Sequence, residues 1–274
     1  DSFRQMERAT QRLVEQHRQP LLNVHIAITF TLRWLVPRLG GFLGEHPELH
    51  LETRSTADLG EFLGQGVDVA IRYGAGRYPG LEVTPLMGET VLPVASPDLL
   101  ARIALNDPAD LKNHILLHDG SPELDASCPD WAMWLAARGL RNVDGSRGPR
   151  FNQSSLVIEA AVNGRGVALA KRTLAQADLE AGRLVAPLQI ATAVDFAYYL
   201  VHPQAKGRLP QVKAFVAWIK AQAEAHEAAL RALRDRSELF EGEGTITRLG
   251  RHRFSVNRQE LDLTLMPRED GLYL

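Results

Sequence analysis

The sequence predicts an α/β fold of two successive lobes with a hinge and a cleft between them, followed by a C-terminal helix and a β extension. Three observations predict it. From Leu21 to Arg72, apolar runs of strand length alternate with segments of helix length. A second series starts near Val91 and is complete by Leu188. A last strand, Phe196–Val201, and a helix opened by Pro210 are then left to return to the first series. Strand–helix–strand order implies parallel pairing with right-handed crossovers. A chain that leaves a lobe and comes back crosses twice, and two crossings make a hinge.

Residues 2–19 read as a helix with Phe3, Met6, Leu13 and Val14 on one side, stopped by Pro20. It is either an amphipathic connector or the end of a dimerising coiled coil. Leu21–Ile28 is a strand, Thr29–Arg33 a polar break, Trp34–Leu43 a helix and Leu49–Arg54 a strand. Ser55–Gly64 is a short helix with a weak capping-box spacing at Ser55 and Asp58. Val67–Arg72 closes the first series. In the second, Val91–Ala95, His114–His118, Arg150–Asn152, Val167–Ala170 and Leu184–Leu188 are strands. Ser96–Arg102, Pro129–Arg138, Ser154–Asn163 and Thr173–Ala181 are helices, the last ended by Gly182. Pro210 suits a first helical position, where its missing N–H costs least.

Composition removes several classes of function. The 274 residues are 45% hydrophobic and 23% charged, as in ordinary globular proteins. A single cysteine, Cys128, excludes an internal disulfide framework and a multi-cysteine zinc site. A net charge of −2 does not suit a self-sufficient nucleic-acid binder. No run approaches the ~20 apolar residues of a membrane helix, and residues 1–20 lack a secretion-signal layout. The expected location is cytoplasmic. The chain opens at Asp1 inside a charged, helix-prone run, so a longer parent is expected.

The candidate ligand residues follow from the fold. In open α/β sheets ligands bind beyond the carboxyl ends of strands, where helices begin. Helix starts offer unpaired N–H groups that suit carboxylates and phosphates. Hydroxyls or amides stand at four such junctions: Thr29 with Thr31, Ser55 with Thr56, Asn152 with Ser154, and Ser96. Arg72 and Tyr73 end a strand on the same rim, Arg72 as a possible carboxylate anchor or a surface ion-pair partner. His118 ends a strand facing the cleft. Each Ser and Thr could equally be an ordinary N-cap. Trp34, Trp131 and Trp134 read as packing residues, and Cys128 as an exposed loop thiol.

Enzyme signatures fail. There is no G-x-S-x-G elbow and no Walker loop, and Gly74-Ala75-Gly76 leads into Arg77-Tyr78-Pro79 rather than a helix. His114 and His118, four apart on a strand, stand too far apart to share a metal. No cofactor or metal is expected.

Six ordered segments carry a family resemblance: FTLRWLVPRLGGFLGEHPELHLE (30–52), LGQGVDVAIRYG (63–74), LPVASPDLL (92–100), LLHDGSPELD (116–125), FNQSSLVIEAAVNGRGVALAKR (151–172) and LEAGRLVAPL (179–188). Together they resemble the effector-binding domain of LysR-type transcriptional regulators, of the glycine-cleavage-activator kind, over about residues 2–221. The resemblance implies a periplasmic-binding-protein-like fold, with lobe one at 21–95 plus 195–221 and lobe two at 96–194. It implies a small-molecule effector in the cleft and raises Thr29, Thr31 and Ser55 as its contacts; the hydroxyl-bearing helix starts point to an organic acid or amino acid. It implies self-association as a dimer or tetramer. Residues 1–20 would end a linker helix, and DNA would be bound only through an N-terminal helix-turn-helix domain. The alternative on the same fold is a solute-binding protein of a transport system.

Residues 222–274 fall outside this pattern. The last helix is expected to run to about Arg236. Thr245–Leu249 and Arg253–Val256 form a hairpin, Glu260–Met266 alternates as a strand, and Leu272–Leu274 starts another. The stretch 242–265 is similar to a segment of large bacterial DNA-repair ATPases. It holds no nucleotide-binding motif, so no ATPase activity is implied. This tail is expected not to pack as part of the two-lobe domain.

Overall fold

The structure, a computed structural model, describes residues 20–55, 66–121 and 128–240, with side chains to residue 232, and the backbone of three strands between 246 and 262. The helix expected at 2–19, most of that at Ser55–Gly64 and the strand expected at Leu272–Leu274 lie outside the described residues.

The chain divides into two units, Asp1–Ala223 and Glu224–Leu274. The first holds two five-stranded sheets. One has the order β2-β1-β3-β10-β4, built from β1 (Leu21–Ile26), β2 (His50–Arg54), β3 (Val69–Gly74), β4 (Glu82–Met87) and β10 (Ala197–His202). The other has the order β7-β6-β8-β5-β9, from β5 (Thr90–Val94), β6 (Leu116–Asp119), β7 (Arg150–Phe151), β8 (Val167–Lys171) and β9 (Thr192–Ala193). The scheme is the same in both. Three parallel strands come first, and a strand arriving from the other lobe is added antiparallel: β10 against β3, and β5 against β8.

The crossings run through Gly88–Glu89 and Val194–Phe196, and they touch, with the Val194 N–H donating to the Glu89 carbonyl at 3.4 Å. Thr90–Val94 therefore pairs into the second sheet, although a lobe boundary at 95 would put it in the first. β4 has no counterpart among the expected strands. Pro85 interrupts its run, and the strand survives because it is an edge, where a missing N–H faces no neighbour. Leu184–Leu188 forms only a single bridge, Val185 to Ala95, instead of a strand. Pro187 removes one donor, and Gln189 turns the chain with φ 49°.

The polar break expected at Thr29–Arg33 is helical. α1 (Ile28–Phe30), a π-helical turn (Thr31–Leu35) and α2 (Val36–Glu45) follow without interruption. Pro37 explains the wide turn. It cannot donate to the carbonyl of residue 33, and the Val36 N–H reaches back to Thr31 instead. Trp34, in this turn, is 1% exposed and stacks on Phe30 at 4.9 Å between ring centroids.

In the second lobe, α3 (Pro97–Arg102), α4 (Trp131–Ala136), α5 (Ser154–Val162) and α6 (Arg172–Glu180) accompany the sheet. Trp131 and Trp134 are packing residues, both buried, and Trp131 Nε1 donates to the Leu117 carbonyl at 2.9 Å. α7 (Pro210–Phe240) runs past the expected end at Arg236. Val212, Phe215, Trp218 and Ile219 of α7 are buried at helical spacing in the same apolar cluster as β1 and β3.

The second unit holds the remainder of α7 and a three-stranded antiparallel sheet of β11 (Ile246–Arg248), β12 (Arg253–Val256) and β13 (Gln259–Asp262). The expected hairpin and the following strand both form, the latter at 259–262. Among the described residues no helix is long and apolar enough to cross a membrane.

Candidate functional site

The two lobes meet where α1 of the first faces the start of α5 in the second. Thr29, 9% exposed, brings Oγ1 to 3.5 Å from both Gln153 Oε1 and Ser155 Oγ. Four residues on, Arg33 reaches the same lobe. Its Nη1 donates to Asp178 Oδ2 at 2.6 Å, and Nη2 contacts the Ser155 carbonyl and Glu159, each at 3.4 Å. Asp178, on α6, also takes Arg183 at 2.7 Å. One carboxylate thus joins two guanidinium groups from different lobes.

Beside this contact the seam is aromatic. Phe30 packs on Tyr198 at 4.6 Å, and Tyr198 on Tyr73 at 5.1 Å. Lys171, at the end of β8, places Nζ 4.2 Å from the Tyr73 ring centre. A small, partly open pocket of about 20 Å³ adjoins it, lined by Lys171, His118, Asp119, Cys128, Asp130, Trp131 and Arg150 among others. These residues cluster around the carboxyl ends of β6 and β8, where the fold places ligands.

The nine sequence candidates separate in space. Thr29 faces the other lobe. Thr31 Oγ1 donates back to the Ala27 carbonyl at 3.2 Å and serves its own helix. Ser55 Oγ accepts the Ile28 N–H at 3.1 Å and so caps the start of α1. Tyr73 lies in the seam. Arg72 does not share its side of the sheet, because successive strand residues face opposite ways; it pairs across from Tyr199 and acts on the Tyr78 hydroxyl. Ser96 caps α3, accepting the Leu99 N–H at 3.3 Å, and is buried against Gly164. His118 lines the pocket with Nε2 3.2 Å from the Arg147 carbonyl. Asn152 is exposed. Ser154 is buried and donates to Asp119 Oδ2 at 2.5 Å.

Gln153, Ser155, Arg33, Lys171 and Glu89 were missed. Gln153 and Ser155 sit one residue from the chosen pair, and only the exact start of α5 decides which side chains face α1. Cys128 is half-buried against the second lobe's apolar cluster rather than exposed in a loop. Among the described residues no His, Cys, Asp or Glu group of three or more is arranged to hold a metal.

Glu89 occupies the crossing itself. It is 7% exposed; Oε1 accepts the Thr90 and Thr173 N–H groups, and Oε2 accepts the Tyr198 hydroxyl at 3.2 Å. It therefore ties α6 of one lobe to β10 of the other. Burial pushes its carboxyl above the usual range, and the two N–H bonds and nearby Lys171 pull part of the way back. A raised acid favours the protonated form in the folded state. The stability it lends is complete below the ordinary glutamate pKa and is lost as pH rises through the raised one. Glu89→Gln is expected to flatten that part of the pH–stability curve, measured by urea unfolding at a series of pH values. An unchanged slope would show that Glu89 does not titrate differently on folding.

Three comparisons with known proteins agree. The LysR substrate binding domain family matches residues 15–224. The glycine cleavage system transcriptional activator of Escherichia coli is 38% identical over 230 residues, covering 84% of this chain and 73% of that protein. The HTH-type transcriptional activator AmpR of Providencia stuartii is 31% identical, over 81% of this chain and 72% of that one. Among solved structures, the effector domain of AmpR from Pseudomonas aeruginosa superposes with a TM-score of 0.63 at 31% identity, covering 78% of this chain and 99% of that one.

Proposed function

The chain belongs to the LysR substrate-binding domain family, and we propose that a small organic acid or amino acid binds between its lobes at Thr29, Gln153 and Ser155. The fold is the two-lobed, periplasmic-binding-protein-like fold of effector domains. The relatives are transcriptional regulators, so the chain is the effector-binding domain of such a regulator and not a transport protein. The observation that carries the cleft reading is the approach of Thr29 to Gln153 and Ser155 at 3.5 Å across the lobes. A ligand that replaces these long contacts with its own hydrogen bonds shifts the balance between lobe arrangements by its differential affinity.

In this reading the protein acts in the cytoplasm as a dimer or tetramer and catalyses no reaction. DNA is contacted by a helix-turn-helix domain outside residues 1–274. Residues 222–274 form an extension separate in role from the lobes.

The test is a thermal-shift screen of amino acids and organic acids on this chain. A ligand at 100 times its dissociation constant should stabilise the fold by about 2.7 kcal/mol. Thr29→Val and Ser155→Ala should each weaken that ligand about tenfold, the loss of one hydrogen bond in a desolvated site. Equal affinity in both variants would put the site elsewhere.

A further inference from the structure

We propose that Lys171 is the carboxylate anchor of the cleft, the role that the sequence suggested for Arg72. The proposal deepens the effector-site reading and rests on it for its biological meaning, but the site has its own geometry. Lys171 ends β8, on the second lobe, and is 7% exposed. Its ammonium lies over the Tyr73 ring at 4.2 Å and, among the described residues, has no carboxylate within ion-pair distance. A buried ammonium without a paired anion is costly, and a ring face offsets only part of that cost. Glu89 is close enough to feel the charge, but its oxygens are taken by Thr90, Thr173 and Tyr198. A ligand anion entering the adjoining pocket would complete its pairing.

A small pocket opens beside Lys171. It is partly open to solvent, encloses about 20 Å³ and is walled by Trp131 and Leu117. Its own carboxylates are engaged: Asp119 accepts the Ser154 hydroxyl and the Ser121 N–H, and Asp130 caps α4 through Met133. Those two acids balance Lys171 and Arg150 on the lining. A lining without excess charge opposes a singly charged carboxylate less than a doubly charged phosphate. Because Lys171 also touches Tyr73 of the first sheet, an anion there bears on both lobes.

The experiment uses the whole chain and sodium acetate as the probe. The chain has five lysines, Lys112, Lys171, Lys206, Lys213 and Lys220. Reductive ¹³C-methylation keeps their charge and gives each its own NMR signal, and loss of a signal in Lys171→Met or Lys171→Arg assigns the one needed. The expected result is a saturable shift of the Lys171 signal with acetate that acetamide and sodium chloride do not reproduce. No saturable shift, an equal response to chloride or acetamide, or the same response in all five lysines would overturn the proposal. Because the titration is done on the unsubstituted side chain, a variant that fails to fold does not spoil it. Failure of the effector reading would show separately, as a metabolite indifferent to Thr29→Val while the acetate shift persists.

Discussion

Trp34→Ala is expected to destabilise the two-lobed unit by about 3–5 kcal/mol, the range for truncating a fully buried aromatic. Trp34 is 1% exposed, stacks on Phe30 and carries the Arg38 guanidinium 4.5 Å above its ring. It also sits in the π-helical turn Thr31–Leu35, beside Arg33 and one turn on from Thr29, the two residues that make the interlobe contacts. The loss should therefore appear twice: as a lower urea midpoint, and as weaker ligand binding in the fraction that stays folded. A cost near that of a surface substitution, below about 0.5 kcal/mol, would mean that the turn is not packed as described.

The second large effect is expected at Asp178. It is 2% exposed and holds Arg33 from the first lobe and Arg183 from its own. Removing one partner of a buried pair costs about 3–5 kcal/mol. Here Arg183 is about half-exposed and can turn to water, and Arg33 keeps Ser155 and Glu159. About 2–3 kcal/mol is expected for Asp178→Ala, a discount on the buried-pair range for solvent screening. Arg33→Ala and Asp178→Ala should be non-additive by about 1–2 kcal/mol, within the span of contacting residues. A double-mutant cycle by urea unfolding measures this. Additive costs would show that the pair does not join the lobes.

The sheets were legible because their strands declare themselves. Leu21–Ile26 and Val167–Lys171 are dense in apolar residues and bounded by turn residues. The two-crossing topology followed from counting what was left after two complete series. What failed locally failed at prolines: Pro85 concealed a strand that its edge position allows, and Pro187 spoiled one that the apolar run suggested. The site was half legible. Helix starts with hydroxyls pointed to the seam between the lobes and to Thr29, but three of the hydroxyls, on Thr31, Ser55 and Ser96, serve backbone groups. Strand alternation alone could have separated Arg72 from Tyr73. Lys171 and Glu89 gave no local signal, since their significance comes from residues up to 109 positions away, such as Tyr198 beside Glu89.

The central claim is that the crevice between the lobes is the ligand site. A crystal structure of the chain with the tightest ligand from the metabolite screen tests it most directly. The account predicts ligand atoms within hydrogen-bond distance of Thr29 on one lobe and Gln153 or Ser155 on the other, with a carboxylate at Lys171. A ligand seated on a single lobe away from this seam, with the Thr29 contacts unchanged, would contradict it.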